Sequence, residues 1–593
     1  MKQKKKVVFD IEIYSNFSLF SFSDLEGTRF VELPMYEGQP LDRAKLRAVL
    51  NAYTIISFNG INFDLPIAFA AIAGADCAKL KEICDSIISN GDPHWKTNQK
   101  FDIQEFPVDH IDIMQPSPSV GASLKLYGGR LNAPKLQDLP IEPGASILPE
   151  QREELRLYCR NDLATTALLY KAIENEITLR AEMSKEYDID LRSKSGAQVA
   201  KAVIGHQLKA IGVNTRTIKI DEGTVFKYKM PDFIKFETEQ FKELQKLVIE
   251  SDFVINDKGS VLIPAQLKKV IKFDGAKYKI GIGGLHSQEK KQAIVCGENQ
   301  IFGEFDYASM YPFIILNQDL FPKHLGALFL TMYKDLVNRR MIAKRAGDKA
   351  TANSLKLTIN SSFGLFGNKY SFLYSPDLLI QTTITGQLCL LMLIEKVVAA
   401  GGKVVSANTD GINIICSKNK FSEIQAQLNV SDLETGMDLE FTEYQATYNE
   451  SVNSYIAVMK NGDVKTKGNY ASIGLSKNPV NSICNDAVIA YISKHTTIEQ
   501  TIISCVDATK FLTVRTVNGG AVWRDTYLGK VVRFYHSTDG DTINYKKNGN
   551  KVPNSNDCKP LMDLPDTFPS DIDKQWYINE AIKKLSLLGI DYA

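Results

Sequence analysis

The stretch QIFGEFDYASMYP, residues 300–312, reads as an apolar strand that closes on Asp306 and runs directly into Tyr307-Ala308-Ser309-Met310-Tyr311-Pro312. A second aspartate, Asp410, follows about a hundred residues later in KVVSANTDGINIIC (403–416), which reads as a β-hairpin with Asp410-Gly411 in its turn. Between them, residues 331–364 read as two helices broken at Ala346-Gly347-Asp348, where Gly ends the first and Asp caps the second. Residues 331–370 hold eight Lys/Arg against two acids. Arg340 and Lys344 share one helix face, as do Lys356 and Asn360. Each feature alone is ordinary: Asp is common in turns, and a charged helix face usually meets water. Together, a basic helical wall opposite two carboxylates suits a triphosphate. The cations neutralise its charge while carboxylate-bound metals activate a hydroxyl and hold the pyrophosphate.

A second acidic constellation lies upstream. In the first 170 residues, strand-like runs such as KKVVFDIEIYS and AYTIISFNG alternate with helical segments, an α/β pattern. Asp10 and Glu12 are two apart on a predicted strand, so alternation puts both carboxylates on one face. Such a pair is costly without a neutralising cation, although Asp-x-Glu on an exposed strand is common. Asn59-Gly60-Ile61-Asn62-Phe63-Asp64 follows another predicted strand. Tyr158-Cys159-Arg160-Asn161-Asp162 lies inside a predicted helix, where i, i+4 spacing puts phenol and carboxylate on one face. Four carboxylates from strand, loop and helix can converge on two metals that activate water for phosphodiester hydrolysis, with Tyr158 orienting that water. Asp112 reads as a structural residue or as a further acidic neighbour; His110, near these segments, and His286, beside Gly283-Gly284, read as structural.

Composition narrows the class without naming a partner. At 593 residues the chain is long enough for about three to five domains. Its 44% apolar and 23% charged residues exclude a disordered or fibrous chain. Lys+Arg is 70 against Asp+Glu 69, so nucleic-acid binding would have to come from local patches. One such patch is 510–551, with eight Lys/Arg against three acids and Trp523, Tyr527, Phe534 and Tyr535 interleaved. It reads as a duplex-phosphate grip or as a solvated surface over core aromatics. The nine Cys form no C-x-x-C pair and fit a reducing compartment. No uncharged run approaches a membrane span, and the lysine-rich start lacks a signal peptide's apolar stretch.

The upstream segments resemble the D-x-E, N-x-x-x-[FY]-D and Y-x-x-x-D motifs of the proofreading 3′–5′ exonuclease domain of the ribonuclease-H-like superfamily. The likeness spans about residues 1–190. Ser123-Leu124-Lys125-Leu126 is similar to a further stretch common in these exonucleases. The downstream segments resemble family B DNA polymerases, in family order. Asp306-x-x-Ser-Met-Tyr-Pro looks like motif A, Lys356-Leu-Thr-Ile-Asn360-Ser-Ser-Phe363-Gly364 like motif B, and Asn408-Thr409-Asp410-Gly411 like motif C. Tyr455-Ile-Ala-Val and Lys465-Thr-Lys467-Gly468 are similar to the later strand and lysine motif, and Gly283-Gly284 after Tyr278 to the Tyr/Gly-Gly element.

The resemblance implies a multidomain α/β chain: a ribonuclease-H-like exonuclease domain plus a right-hand polymerase. The exonuclease domain would be 1–190, the connecting region and start of the palm 191–290, and palm with motif A 291–330. Fingers with motif B would be 331–370, palm with motif C 371–475, and the thumb or C-terminal DNA-binding region 476–593. It further implies that Asp306 and Asp410 hold two Mg²⁺ ions, with Mn²⁺ as a substitute, and that Asp10, Glu12, Asp64 and Asp162 hold two more. Tyr311 would stack under the deoxyribose and exclude a 2′-hydroxyl. Arg340, Lys344 and Lys356 would bind the dNTP phosphates, and Asn360 and Ser309 would line the nucleotide site. Lys467 and Gly468 would meet the primer strand, Gly283 and Gly284 the template, and Asn59 and Phe63 the strand entering the exonuclease. The partners implied are primer–template DNA, dNTPs and phage replication accessory proteins, for a monomer in the cytoplasm of a host cell.

Three departures bear on activity. Asn408 replaces the first motif C Asp, Gly411 its Ser, and Phe363 the motif B Tyr. An amide ligates hard cations weakly, so Asn408 alone favours the rival reading of a 3′–5′ exonuclease with a silent polymerase half. Tyr311 argues against an RNA-synthesising enzyme, and the intact exonuclease carboxylates argue against a non-enzymatic scaffold. Only about 45 residues separate motifs A and B, which leaves no room for the insertion of protein-primed phage enzymes. With no cysteine-rich tail either, the compact chain resembles a bacteriophage replicative polymerase.

Overall fold

The computed structural model describes residues 4–119 and 121–592. Residues 1–3, with the first lysine of the basic start, lie outside the described residues; Lys4 and Lys5 are exposed and Lys6 opens a strand. The chain divides into two compact units built from separated segments. The first is Met1–Ser195, Ile473–Cys484 and Glu499–Asn579; the second is Gly196–Ser472, Asn485–Ile498 and Glu580–Ala593. The expected 476–593 region is therefore shared between both units.

The first unit holds a five-stranded sheet in the order Phe30–Tyr36, Phe17–Ser23, Lys6–Ile13, Thr54–Ser57, His110–Asp112. The first three strands pair antiparallel and the last two join in parallel. Alternation along Lys6–Ile13 sends Phe9 and Ile11 into one buried cluster with Phe20, Phe22, Ile55 and Ile67. Val8 goes the other way, against Leu163 and Ala167 of the helix Arg152–Ala172. Asp10 and Glu12 share Val8's face, so the packing of one valine aims both carboxylates at that helix. A second, four-stranded sheet runs Ile543–Tyr545, Thr513–Trp523, Thr526–Asp541, Cys558–Pro560.

In that second sheet the interleaved pattern of 510–551 resolves by burial. Phe534 and Tyr535 are core residues, and the Trp523 indole N–H donates to the Cys558 carbonyl at 2.9 Å. Arg533 is buried and donates to the carbonyls of Leu561, Ala133 and Met562 at 2.7, 2.8 and 3.0 Å. The phosphate-grip reading is corrected at this residue: a guanidinium that closes three carbonyls inside the core is closed to DNA. Lys530, Lys546, Lys547 and Lys551 remain exposed.

The second unit is built on a ten-stranded sheet. Its continuous path runs Val464–Lys467, Ser454–Met459, Leu439–Ser451, Gln300–Tyr307, Gly411–Ser417, Lys403–Asn408, His286–Ser287, Ala276–Lys279, Ile271–Phe273. The two helices expected around residue 347 are Leu328–Ala346 and Lys349–Leu365. Gly347 ends the first with a φ of 72°, and the Asp348 carboxylate caps the second by accepting from the Thr351 N–H at 3.1 Å.

Two expectations change here. The hairpin turn is Thr409-Asp410 rather than Asp410-Gly411, because Gly411 already pairs with Asn408 and with Asp306. Thr409 takes the positive φ, 60°, and its N–H donates to the Leu285 carbonyl at 2.8 Å. The second change concerns the helix Pro376–Ala399, which is long and apolar enough to cross a membrane: an 18-residue window in it has a mean hydropathy of 1.5. The stretch between Asp377 and Glu395 is uncharged. Yet 89% of that window is buried inside the unit, where its polar groups are used. Gln387 clamps Gly281 through both backbone groups, at 3.0 and 2.8 Å, and Thr385 meets the Tyr228 hydroxyl at 2.8 Å. It is the core helix on which the glycine loop 281–285 is hung.

Candidate functional site

The first acidic site is assembled by three local devices. Strand alternation presents Asp10 and Glu12. Asp112, at the end of the edge strand His110–Asp112, accepts from the backbone N–H groups of Asn59, Ile61 and Met114 at 2.9, 3.1 and 3.0 Å. That carboxylate fixes the turn 59–63, in which Asn59 has a φ of 66°, and so places Asp64 in the first turn of the helix Asp64–Ala73. The third device is the helix Arg152–Ala172, which brings Tyr158, Cys159 and Asp162 over the strand. Phe63 packs into the neighbouring core and Asn59 is partly buried. His110 is held by Ser57 at 2.7 Å, and burial lowers its pKa to about 4, so it stays neutral.

Like charges crowd this site. Burial, then Asp162, pushes the Asp10 carboxyl up to about 7. Burial and Asp10 raise Glu12 well above the usual carboxylate range, and the same two causes raise Asp64. Asp162 is raised by burial against the pull of Lys125, whose ammonium pairs with it and sits 4.1 Å from the Tyr158 ring centroid. Tyr158 lies one turn before Asp162 on the same helix, and burial strongly raises its phenol pKa. Cys159, which carries no role in the sequence reading, donates its S–H to Asp10 at 3.6 Å. Ligand atoms of Asp10, Glu12 and Cys159 lie within 4.8 Å of one another. Hard carboxylate oxygens held together against repulsion fit a divalent cation.

The second acidic site lies on the ten-stranded sheet. Asp306 sits opposite Gly411 on one side and Glu440 on the other. Gly411 does more than suit a turn: a Cβ there would stand 2.9 Å from both Asp306 Cβ and the Phe305 carbonyl. Its missing side chain lets the two strands close, and Tyr307 N–H donates to the Asp410 carbonyl at 2.9 Å. A cleft of about 320 Å³ is lined by Glu304, Asp306, Asn408, Asp410, Lys465 and Lys467. Burial, then Glu304, Asp410 and Glu440, pushes the Asp306 carboxyl up to about 6, and burial raises Asp410. These oxygens, too, fit a divalent cation. Asn408 spends its amide N–H on Asn453 Oδ1 at 3.2 Å. The Asn453 carbonyl would lie 2.1 Å from a Cβ at Gly468, whose φ of 67° and close approach both require glycine.

Asp410 also lines a second cleft, of about 300 Å³, with Ser309, Tyr311, Arg340, Asn360 and Phe363. Arg340 donates to Ser309 Oγ at 2.7 Å, whereas its neighbour Arg339 pairs with Asp335 at 3.9 Å. Tyr311 stacks on Phe363 at 4.4 Å between centroids and donates its hydroxyl to the Gly283 carbonyl at 2.8 Å. Gly284 packs against Thr409, and Tyr278 is a core residue. Lys344 is exposed and reaches Glu440 at 3.4 Å, and Lys356 is exposed one turn before Asn360.

Glu304 was missed although a signal was available. It stands two residues before Asp306 on one strand, the spacing that singled out Asp10 and Glu12. Lys125 was noticed only as part of a motif; its contact with Asp162 depends on tertiary packing.

Neither a protein-family profile nor a curated protein sequence matches the chain. Among solved structures, it is similar to the family B DNA polymerase from the hyperthermophilic archaeon Pyrobaculum calidifontis, at 13% identity and a TM-score of 0.42. That alignment covers 100% of this chain and 78% of the other.

Proposed function

We propose that the chain is a template-directed DNA polymerase with 3′–5′ proofreading exonuclease activity, acting in phage DNA replication. The observation that carries the reading is the position of Asp410, which lines two clefts at once. One holds Asp306 and the lysines 465 and 467; the other holds Arg340, Asn360, Tyr311 and Ser309. A carboxylate shared between a primer cleft and a nucleotide cleft is what transfer from one to the other needs. The strand order of the first unit and the mutual repulsion among Asp10, Glu12, Asp64 and Asp162 support the exonuclease half.

Asp306 with Asp410, and Asp10, Glu12, Asp64 and Asp162, would hold divalent cations, Mg²⁺ or Mn²⁺, which would supply the positive charge needed to activate a 3′-hydroxyl or a water and to stabilise the leaving oxygen. Arg340 neutralises dNTP phosphates, with Lys344 and Lys356 further out on the same helical pair. Tyr311, clamped between Phe363 and Gly283, presents a rigid ring to the sugar; Asn360 borders the same cleft. Lys467 and Gly468 hold the primer strand, and Gly283 and Gly284 border the template. Asn59 and Phe63 receive the strand in the exonuclease, and Tyr158 orients the water. Primer–template DNA and dNTPs are the partners, with replication accessory proteins.

A 5′-labelled primer on a longer template, incubated with Mg²⁺ with and without dNTPs, tests the reading. The expected result is extension with dNTPs and shortening without them. Asp410→Ala abolishes only extension, and Asp10→Ala with Glu12→Ala abolishes only shortening. Shortening under both conditions would instead establish the nuclease with a silent polymerase half, the reading that the uncharged, Asn453-bound Asn408 favours.

A further inference from the structure

Lysines meet the two acidic sites in different ways. In the first unit the Lys125 ammonium sits directly on Asp162, one of the four carboxylates. In the second unit Lys465 lines the same cleft as Asp306 and Asp410, yet pairs with neither. Its ammonium donates to Glu304 Oε2 at 2.8 Å and to the Tyr444 hydroxyl at 3.3 Å. The Tyr444 hydroxyl in turn donates to the same Glu304 oxygen. Glu304 stands opposite Asn413 and Thr442 on the neighbouring strands, both uncharged, and shares Asp306's sheet face. Asn408, the other polar group of the cleft, is neutral and bound to Asn453. Among the charged groups lining the cleft, the carboxylates other than Glu304 are Asp306 and Asp410 themselves.

A flexible, half-exposed ammonium in such a cleft pairs with whichever carboxylate is available. Without Glu304, those would be Asp306 and Asp410, and a lysine there competes with a divalent cation for the same oxygens. We propose that Glu304 is a positioning residue that sequesters Lys465, with Tyr444 as brace, and so keeps Asp306 and Asp410 free to bind metal. The inference rests on the reading of Asp306 and Asp410 as metal ligands. Lys465 and Tyr444 both engage Glu304 Oε2, and the double variant below separates sequestration from ligation.

The test is Mn²⁺ binding followed by electron paramagnetic resonance, in full-length protein carrying Asp10→Ala and Glu12→Ala to silence the first site. Glu304→Gln keeps the side-chain volume and an acceptor for Tyr444 but loses the charge. It is expected to weaken Mn²⁺ binding roughly three- to tenfold, the range for one charge pair at a half-exposed position. Adding Lys465→Met to Glu304→Gln removes the competitor and is expected to restore binding to near the parent value. Parent affinity in Glu304→Gln alone would overturn the inference. So would a double variant as weak as the single one, since that marks Glu304 as a ligand or a merely structural residue. If the parent shows no Mn²⁺ site that Asp410→Ala abolishes, the metal-site reading itself falls, and that result is distinguishable from the other two.

Discussion

Replacing Asp10 with Asn should stabilise the metal-free protein at pH 8 while destroying its ability to shorten a primer. Asp10 is crowded by burial and by Asp162, which together push its carboxyl from the ordinary 3.8 to about 7. Above that pH the folded state carries a charge it resists. The difference corresponds to about 4 kcal/mol at 1.36 kcal/mol per pH unit, and about half survives the residue's partial contact with water. The direction follows from proton binding. Between about pH 4 and 7 the folded chain holds a proton that the unfolded chain has released, so metal-free stability falls as pH rises through that window. Asn carries no charge and keeps an oxygen for the Cys159 thiol. The variant should therefore melt about 2–4 °C above wild type in EDTA at pH 8, and show no gain at pH 4. Mg²⁺ should reverse the order, because only the wild type retains the full carboxylate set to gain binding energy from the ion. The assay is thermal unfolding by intrinsic fluorescence, with and without EDTA, at both pH values. An Asp10→Asn protein that melts at or below wild type in EDTA at pH 8 would refute the argument that these carboxylates repel one another without metal.

Asn408→Asp adds a like charge to the cleft of Asp306 and Asp410 and loses the amide bond to Asn453; metal-free stability should fall by about 1 kcal/mol, and extension should saturate at lower Mg²⁺ than in wild type. Gly468→Ala drives a Cβ into the Asn453 carbonyl and the Ser454 hydroxyl, at 2.1 and 2.2 Å, so the strand bearing Lys467 must shift. Extension should drop while shortening persists on the same gel, and equal loss of both would argue for global unfolding. Arg533→Met strands three buried carbonyls and should cost about 3–5 kcal/mol in urea unfolding. DNA affinity should change no more than the loss of folded protein explains.

Much of the architecture was legible because local chemistry specifies it. The Gly347 stop and Asp348 cap are decided within a few residues, and so is the alternation that puts Asp10 and Glu12 on one face. The hairpin that carries Asp410 belongs with them, although its turn was misplaced by one residue. That error has a tertiary cause: Gly411 pairs with Asp306, a partner about a hundred residues away, and Leu285 holds Thr409 in the left-handed region. Other features were invisible for the same reason. Arg533 sits in a run of basic residues that looks like a phosphate grip, and only packing shows that it closes carbonyls in the core. The helix Pro376–Ala399 has a membrane-like composition, and only its surroundings show each glutamine and threonine in use.

The sequence by itself determined which residues carry charge, which strands and helices form, and in what order the acidic segments occur, because periodicity and capping act over a few residues. The tertiary structure decided which charges meet. It seated Lys125 on Asp162, turned Lys465 toward Glu304 rather than Asp306, and set Asp410 at the junction of two clefts. Electrostatic energy depends on distances of a few ångströms between residues far apart in the chain, and those distances exist only once the sheets have formed.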